Sequence, residues 1–591
     1  MKYEKMNDHM HRVVIDSFDP LDRSVALCGG KGSFELRNFR RLSDGSLSRR
    51  GGLVPLVTLA GNVRGGTTVW REGAQEHYVV AGDAVYYLSE QQEGMRAVEI
   101  GRLAAEEGPI DFACCGGAVL LLADGELWSL TPETMTVTEA YVPLYGKDWS
   151  PTDIATQVMH ELPNLLSRRL RVRYLLSDAT KSVTLSRLIP KSVDAILIDG
   201  ELYEGSISYS SIARAVSIGQ EMPAGAQVEV YLTMPAEFST LRAEVTRARR
   251  MASIGQAEQP RMMFYDGGDA ASIYVSRSIA QGESRAVRRV VSDACMLYVT
   301  EQDKITVGDG IHAVTGACRH YDRSLIFTAN GTWMADGSEN TDGTLRLIPV
   351  NTALGCSNAG AFLVAGNDPI TVFGRRVLRW NSRTDERDEC NAACFSVPVE
   401  VLLPVDFGQN AALCMDEAHG EIWFYRPDKQ GRIFIFQAAC DGWTSFDGFV
   451  PRCVFAFAGG VGIGIGQTLY AVSDAATADT VISEAHPEGA RIPIDAEYAG
   501  SFVDFGLAGK SKRLCTAEVV ASCGDQTMQL TVQRVNGRRE SLLLQGDGEG
   551  LSVMRRRISM GRIRFVRLGL RACHDGKAEL HAIRVTAHGV Q

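Results

Sequence analysis

No stretch of the 591 residues approaches the roughly eighteen consecutive apolar residues of a membrane-spanning helix. The N-terminus, Met1 to Met10, has no apolar core of the kind a secretory signal carries, so synthesis in a reducing cytoplasm is expected. There is no C-x-x-C pair among the fourteen cysteines, several of which sit in apolar stretches (Cys114, Cys295, Cys414, Cys453). That argues against a redox or zinc-ribbon framework and favours free, buried thiols. No G-x-S-x-G nucleophile turn is present, and the eleven histidines nowhere join Cys or Asp at metal-ligand spacing. An excess of basic residues is also missing: 61 Lys and Arg stand against 71 Asp and Glu, a net charge of −10. This balance argues against a nucleic-acid coat, although it does not fix the lining of a channel.

Several motifs begin well and fail. His160-Glu161 starts like a zinc-protease helix, but Pro163 forbids the helix and Asn164 stands where the second ligand is needed. Gly509-Lys-Ser511 ends like a phosphate-binding loop, yet its first glycine would fall at Asp504 and a strand-like run follows. Asp406-Phe-Gly408 and Asp504-Phe-Gly506 match a kinase triplet without a catalytic loop and read as turns. Gly460-Val-Gly-Ile-Gly-Ile-Gly466 is no dinucleotide loop, because its glycines alternate at period two. They share one strand face, where a neighbouring chain segment approaches closely.

What is present is a repeat. Gly331-Thr-Trp333, Gly374 with Val377-Leu-Arg-Trp380, Gly420-Glu-Ile-Trp423 and Gly466-Gln-Thr-Leu-Tyr470 each place a glycine, a short extended run and a large aromatic about 43 to 46 residues apart. Gly82 to Tyr86 and Gly125 to Trp128 repeat it upstream, giving six candidate β-propeller blades. Met263 to Ser276, around Gly267-Gly268, offers a seventh, degenerate blade or the return into the propeller. Between Gly125 and Gly331 roughly 160 residues exceed one period, so a separate domain is inserted there.

The expected fold is therefore all-β: a propeller of about six to seven blades, interrupted by an inserted β-sandwich-like domain and followed by a C-terminal β-sandwich. The expected domains are an extended N-terminal arm (1–62), a first group of blades (63–150), the insert with one helix (151–262), a second group of blades (263–490) and the C-terminal sandwich (491–591). In the arm, Ser48-Arg-Arg-Gly-Gly52 reads as a basic, solvated loop. After Pro235, Phe238, Leu241, Val245, Ala248 and Met251 recur at helical spacing, with Arg242, Arg247, Arg249 and Arg250 off that stripe.

Arg37-Asn38-Phe39 and Asp44-Gly-Ser-Leu-Ser-Arg-Arg-Gly51 resemble the opening of bacteriophage tail and connector proteins, ahead of a first blade at Val63-Arg-Gly-Gly66. Asn164-Leu-Leu-Ser-Arg168 and Val503-Asp-Phe-Gly506 with Lys510 and Lys512 resemble the same group, and the module order is similar to the tail nozzle (tail tubular protein B) family of short-tailed phages. The resemblance spans most of the chain. It implies a structural virion protein of the tail, assembled in the host bacterial cytoplasm as a ring of about six copies beneath portal and adaptor. Such a ring retains the genome and then conducts it during ejection, with double-stranded DNA passing without specific binding. It also implies no enzyme activity, no cofactor, no metal and no membrane-spanning segment. The alternative is a carbohydrate-binding or glycosidase-like propeller. Asn330-Gly-Thr-Trp333 is faintly similar to the sialidase Asp-box turn, but Ile326 and Thr328 occupy its Ser and Asp positions.

Two groups of residues carry site expectations. Trp128, Trp333, Trp423 and Tyr470 are expected to pack between adjacent blades. Arg562, Arg564 and Arg567 are expected on one basic face of a strand running to Arg571, meeting an acidic surface of a neighbouring subunit or virion protein.

Overall fold

A computed structural model describes residues 2–7, 9–24, 32–71, 73–92, 94–115, 117–137, 142–144, 165–166, 168–185, 188–235, 244–254, 261–278, 297–321, 323–336, 346–381, 391–483, 485–507, 509–548 and 550–589. Strands dominate, with short helical turns such as Glu301–Asp303 and Phe407–Asn410. No helix among the described residues is long and apolar enough to cross a membrane. The chain divides into two compact units, one of Met1–Glu99, Cys356–Asn381 and Cys390–Gln591, the other of Ile100–Gly355 and Ser382–Glu389.

Six four-stranded antiparallel sheets, and a seventh four-stranded array that forms part of a larger sheet, carry the repeat among the described residues. In the first unit they run from Val63–Arg71 to Gly94–Arg102 (whose end falls in the second unit), from Phe362–Ala365 to Ala392–Cys394 and from Ala412–Asp416 to Gly442–Phe446. The fourth of this unit runs from Cys453–Phe457 to Thr468–Ser473. In the second unit they run from Ile110–Cys115 to Met135–Val137, from Arg250–Ser253 to Lys304–Thr306 and from Val314–His320 to Arg346–Asn351. Each joins neighbours in up-and-down order, as propeller blades do. The turns fall where the sequence supplies glycine: Gly82, Gly125, Gly374, Gly420 and Gly466 have φ between +56° and +74°. Glycine takes that conformation without steric penalty, and the hairpin twist requires it. The alternating glycines also act as read: a Cβ on Gly464 would lie 2.8 Å from Val63 of the adjacent sheet.

The sheet that begins at Cys453 is completed from the other end of the chain. Gly52–Thr58 pairs antiparallel with Thr468–Ser473, Leu53 opposite Val472 and Val57 opposite Leu469. The adjoining core gathers Leu53, Trp423, Val454, Ile463 and Tyr470 from two successive sheets. Trp423 and Tyr470 are fully buried there. Trp128 and Trp333 are half-buried. Leu127, next to Trp128, takes the core-facing side of its strand, and Trp333 packs against a core that gathers Met263, Ile273, Val314 and Ile326 from two successive sheets.

The insert is a two-sheet sandwich. A five-stranded sheet holds Val142–Leu144, Arg169–Leu175, Gln227–Thr233, Ser192–Ile198 and Glu201–Leu202, and a three-stranded sheet holds Thr180–Thr184, Ala215–Met222 and Ile207–Ser210. Leu170, Val172, Val183, Val216, Val228 and Val230 fill its core. Its end differs from expectation. Residues 244–246 are helical, but Arg250–Ser253 is a strand paired with Met262–Tyr265, so Met251 belongs to a blade sheet. Val245, Ala248 and Met251 share a core at a spacing that fits a helix, and Thr246 ends the turn before the period is complete. Phe238, Leu241, Arg242 and Asn164 lie outside the described residues.

The N-terminal segment is not a free arm. Met10–Ile15 and Leu47–Arg49 both pair with Glu579–Gly589 in the C-terminal sandwich. Glu35–Arg37 pairs antiparallel with Asp495–Val503 and meets Gly442–Phe446 through the parallel partners Arg37 and Ser445. One continuous nine-stranded sheet thereby joins a blade to the sandwich. Replacing Trp423 with Ala is expected to lower stability by about 3–5 kcal/mol, the cost of emptying a fully buried aromatic site. Urea unfolding of the full chain measures it, and a loss below about 1 kcal/mol would contradict this packing.

Candidate functional site: a buried arginine network and a polar trough

Arginines are rarely buried unless fully paired. The N-terminal segment buries Arg40, Arg49 and Arg50, the last two read from sequence as a solvated loop. The solvated reading fails because the partners lie hundreds of residues away. Arg50 donates to both carboxylate oxygens of Asp479 at 2.8 and 2.7 Å, and Asp479 also accepts from the Leu53 backbone N–H at 2.9 Å. Arg40 donates to Glu421 at 2.8 and 3.1 Å and to Asp474 at 2.8 Å. Arg49 donates to the carbonyls of His574 and Thr477 at 2.7 and 2.8 Å and to that of Gly576. Arg37 bridges Asp447, Asp495 and Glu497 at 2.9, 3.0 and 3.0 Å. At the hub, Asn38 adopts φ +56°, accepts from Arg50 Nε at 3.0 Å and donates to Asp447 at 2.6 Å.

Asp416, His419 and Glu421 bring three potential metal-ligand atoms within 4.8 Å of one another. Their sequence spacing had suggested no site. Arg40 supplies positive charge to Glu421 directly and approaches Asp416 at 4.0 Å. His419 stands between Asp416 at 2.8 Å and Asp474 at 2.9 Å. The hydrogen bond to Asp416, outweighing burial and the nearby Arg40, pushes its pKa up to about 9. A protonated imidazole beside a guanidinium disfavours a cation, so this cluster is read as an ion-pair network rather than a metal centre.

The second constellation lies on one face of the C-terminal sandwich. Across the strands Asp495–Val503, Val566–Cys573, Thr527–Arg534 and Arg539–Gln545, three rows of side chains stand side by side. One row is Glu497, Arg571 and Gln529; the next is Ala499, Gly569, Thr531 and Ser541; the third is Arg567, Gln533 and Arg539. Small residues between two taller rows make a trough, with a cavity volume of about 530 Å³. The opposite face of these strands, with Met528, Leu530, Val532, Leu568 and Leu570, is buried, so alternation alone sets the polar residues outward.

Charge pairing in the trough is uneven. Glu497 is held by Arg37, Glu35 by Arg432 at 2.7 Å and Arg571 by Asp495 at 2.6 Å. Burial works to raise the Asp495 pKa, but hydrogen bonds from Arg571 and Arg37 overcome it and hold the carboxyl below its usual range. Among the described residues Arg567 meets no carboxylate. Its guanidinium stacks 3.4 Å from the Phe34 ring centre and 4.3 Å from that of Phe502, with Arg23 also 3.4 Å from Phe34. The three arginines expected on one strand face are thus divided. Arg562 and Arg564 are exposed and flank the isolated bridge between Ile563 and Lys512, whereas Arg567 is half-buried in the regular strand. The strand begins only at Val566 because the Ile563 bridge to Lys512 lies outside the regular ladder with Asp495–Val503.

No protein-family model matches the chain, and no curated protein matches it. Among solved structures, a chain of a mitotic checkpoint complex is similar at 11% identity, covering 72% of this chain and 94% of that one with a TM-score of 0.32. An exo-β-1,3-galactanase from Phanerochaete chrysosporium, solved with β-1,3-galactotriose, is similar at 8% identity over 90% and 100% of the two chains, TM-score 0.23. Apo AztD from Citrobacter koseri is similar at 9% identity over 65% and 86%, TM-score 0.29. Likenesses this weak carry no argument about chemistry or partners.

Two expectations test the arginine network. Arg50→Met leaves Asp479 buried without its cation and is expected to cost about 3–5 kcal/mol. Chemical denaturation of R50M, with D479N added in a second variant to relieve the charge, should show loss and partial recovery. The raised His419 pKa means its contribution to stability is complete below about pH 6.5 and is lost as pH rises through about 9. The difference in urea midpoint between wild type and H419Q should therefore shrink across that window. A difference that is constant from about pH 6 to 10 would show that the imidazolium is not bound as described.

Proposed function

We propose that the chain is a structural virion protein of a bacteriophage tail or connector, a nozzle-like component that forms a ring of about six copies. In this reading it meets portal, adaptor and other tail proteins, retains the genome and conducts it on ejection, having been assembled in the host cytoplasm. The observation that carries the proposal is the role of the residues on which the resemblance rests. Asn38 and Arg50 are the hub of the buried network. Gly45 sits at φ +84°, and a Cβ on Gly51 would lie 2.5 Å from the Ser473 carbonyl oxygen. A motif whose members fix one chain segment between blade and sandwich is what a family built on this architecture needs. It has no corresponding task in a catalytic site.

The chemistry of the trough also speaks against a glycosidase. Glycoside hydrolysis needs one carboxyl with a raised pKa as general acid and a second as base or nucleophile. Glu35 and Glu497 are instead ion-paired with Arg432 and Arg37, so neither stands as a free carboxyl for that role. The acidic net charge agrees with a conduit, because many Lys and Arg contacts to phosphate would bind the duplex and stall its passage.

Native mass spectrometry and electron microscopy of the purified full chain, alone and mixed with portal and adaptor proteins, are the test. A closed ring of several copies is expected. A protein that stays monomeric in every mixture would overturn the proposal.

A further inference from the structure

The trough combines three properties that nothing in the fold itself requires. First, its charge is uncompensated. Its carboxylates are taken by Arg37 and Arg432 and its Arg571 by Asp495, while Arg567 and Arg539 have no carboxylate partner among the described residues. Burial, then the positive charges of Arg23 and Arg539, lower the Arg567 pKa to about 10. Its buried Nε has no hydrogen-bond partner. A guanidinium crowded by two others and short of an acceptor is relieved by an anion.

Second, the lining is rich in hydroxyl and amide groups that no other described residue engages. Gln529, Thr531, Gln533 and Ser541 project from adjacent strands beside the floor at Gly569. Amides and hydroxyls offer donors and acceptors together, which suits the hydroxyl pairs of a polyol. Gly569, without a side chain, lets a ligand ring approach the backbone.

Third, the usual anchors for other ligands are absent or taken. Phe34 is covered by Arg23 and Arg567, so it offers no open face for stacking a base or a neutral sugar ring. Few apolar groups line the cavity, which disfavours an acyl chain or an apolar peptide side chain. Its volume of about 530 Å³ lies in the range of small-molecule sites, about 300–1,000 Å³.

We propose that this trough binds an acidic saccharide, with Arg567 and Arg539 receiving its carboxylate and Gln529, Thr531, Gln533 and Ser541 hydrogen-bonding its hydroxyls. The assignment stands independently of ring assembly, since all of these residues lie in one unit of one chain.

Isothermal titration calorimetry of the full chain tests it with trigalacturonate, a glucuronate oligomer and N-acetylneuraminate. The controls are the trigalacturonate methyl ester, inorganic phosphate, hexa-aspartate and a single-stranded oligonucleotide. At least one acidic sugar is expected to bind, its neutral counterpart at least about tenfold more weakly, and R539Q to lower the affinity by about tenfold or more. Arg539 is exposed, so R539Q keeps the fold. R567Q removes a stacked group and is interpreted only where its melting temperature matches wild type. Binding by no acidic sugar overturns the proposal, as does equal binding of ester and acid or affinity indifferent to R539Q. Tighter binding of hexa-aspartate or the oligonucleotide would reassign the trough to an acidic peptide or a nucleic acid. Binding of phosphate alone would reduce it to an unspecific anion site.

Discussion

The bidentate contact between Arg50 and Asp479 is the constraint on which the larger unit depends. Both groups are almost fully buried, and neither could remain there alone, because an isolated charge in a protein interior costs several kcal/mol. The pair itself adds little net stability over an apolar replacement of the same shape. Its effect is on position. Arg50, Arg40 and Arg37 reach Asp479, Glu421 and Asp447 from the N-terminal segment, and that placement carries Gly52–Thr58 to the open edge beside Thr468–Ser473. A sheet edge that would otherwise offer unpaired backbone groups is thereby closed. The charge pairs select the register, and the apolar core around Leu53, Trp423 and Tyr470 supplies the driving force.

The same logic explains what could be read from the sequence. Local features were legible: glycine turns at Gly82, Gly374, Gly420 and Gly466 recur at blade spacing, and the strands between them alternate or run apolar. The inserted sandwich was legible as a break in that period. Features fixed by distant partners were not. Gly52–Thr58 is an ordinary apolar run until Thr468, 410 positions away, is known to lie beside Thr58. Arg49 and Arg50 look solvated because charged residues usually are, and nothing local shows that Asp479 and a set of carbonyls await them. Met251 fits a helical stripe by spacing, yet the pairing of Arg250–Ser253 with Met262–Tyr265 overrides that local period.

The basic strand near the C-terminus shows the limit within a single element. Alternation correctly separates Leu568 and Leu570 from Arg567 and Arg571. It cannot say that Arg571 is answered by Asp495 while Arg567 is answered by two aromatic rings. Nor does it assemble Gln529, Thr531, Gln533 and Ser541, from two other strands, into one lining. A trough of this kind is a property of four-strand register, and each strand taken alone is an unremarked polar and apolar alternation.

The −10 net charge and these unpaired arginines are compatible because they act over different ranges. The excess of acid sets a repulsive field that ions at about 0.15 M screen beyond about 8 Å. Within the trough the field is local. Arg567 is half-buried against Phe34 and Phe502, where solvent screens it less than it screens a surface lysine. A long polyanion such as duplex DNA is too wide to enter a cavity of about 530 Å³ and meets the trough only at its rim. A small anion that fits between the two taller rows meets chiefly the two guanidinium groups. A sheltered basic trough in an acidic chain is thus a means of discriminating by ligand size, which is what the proposed binding of a compact carboxylate requires.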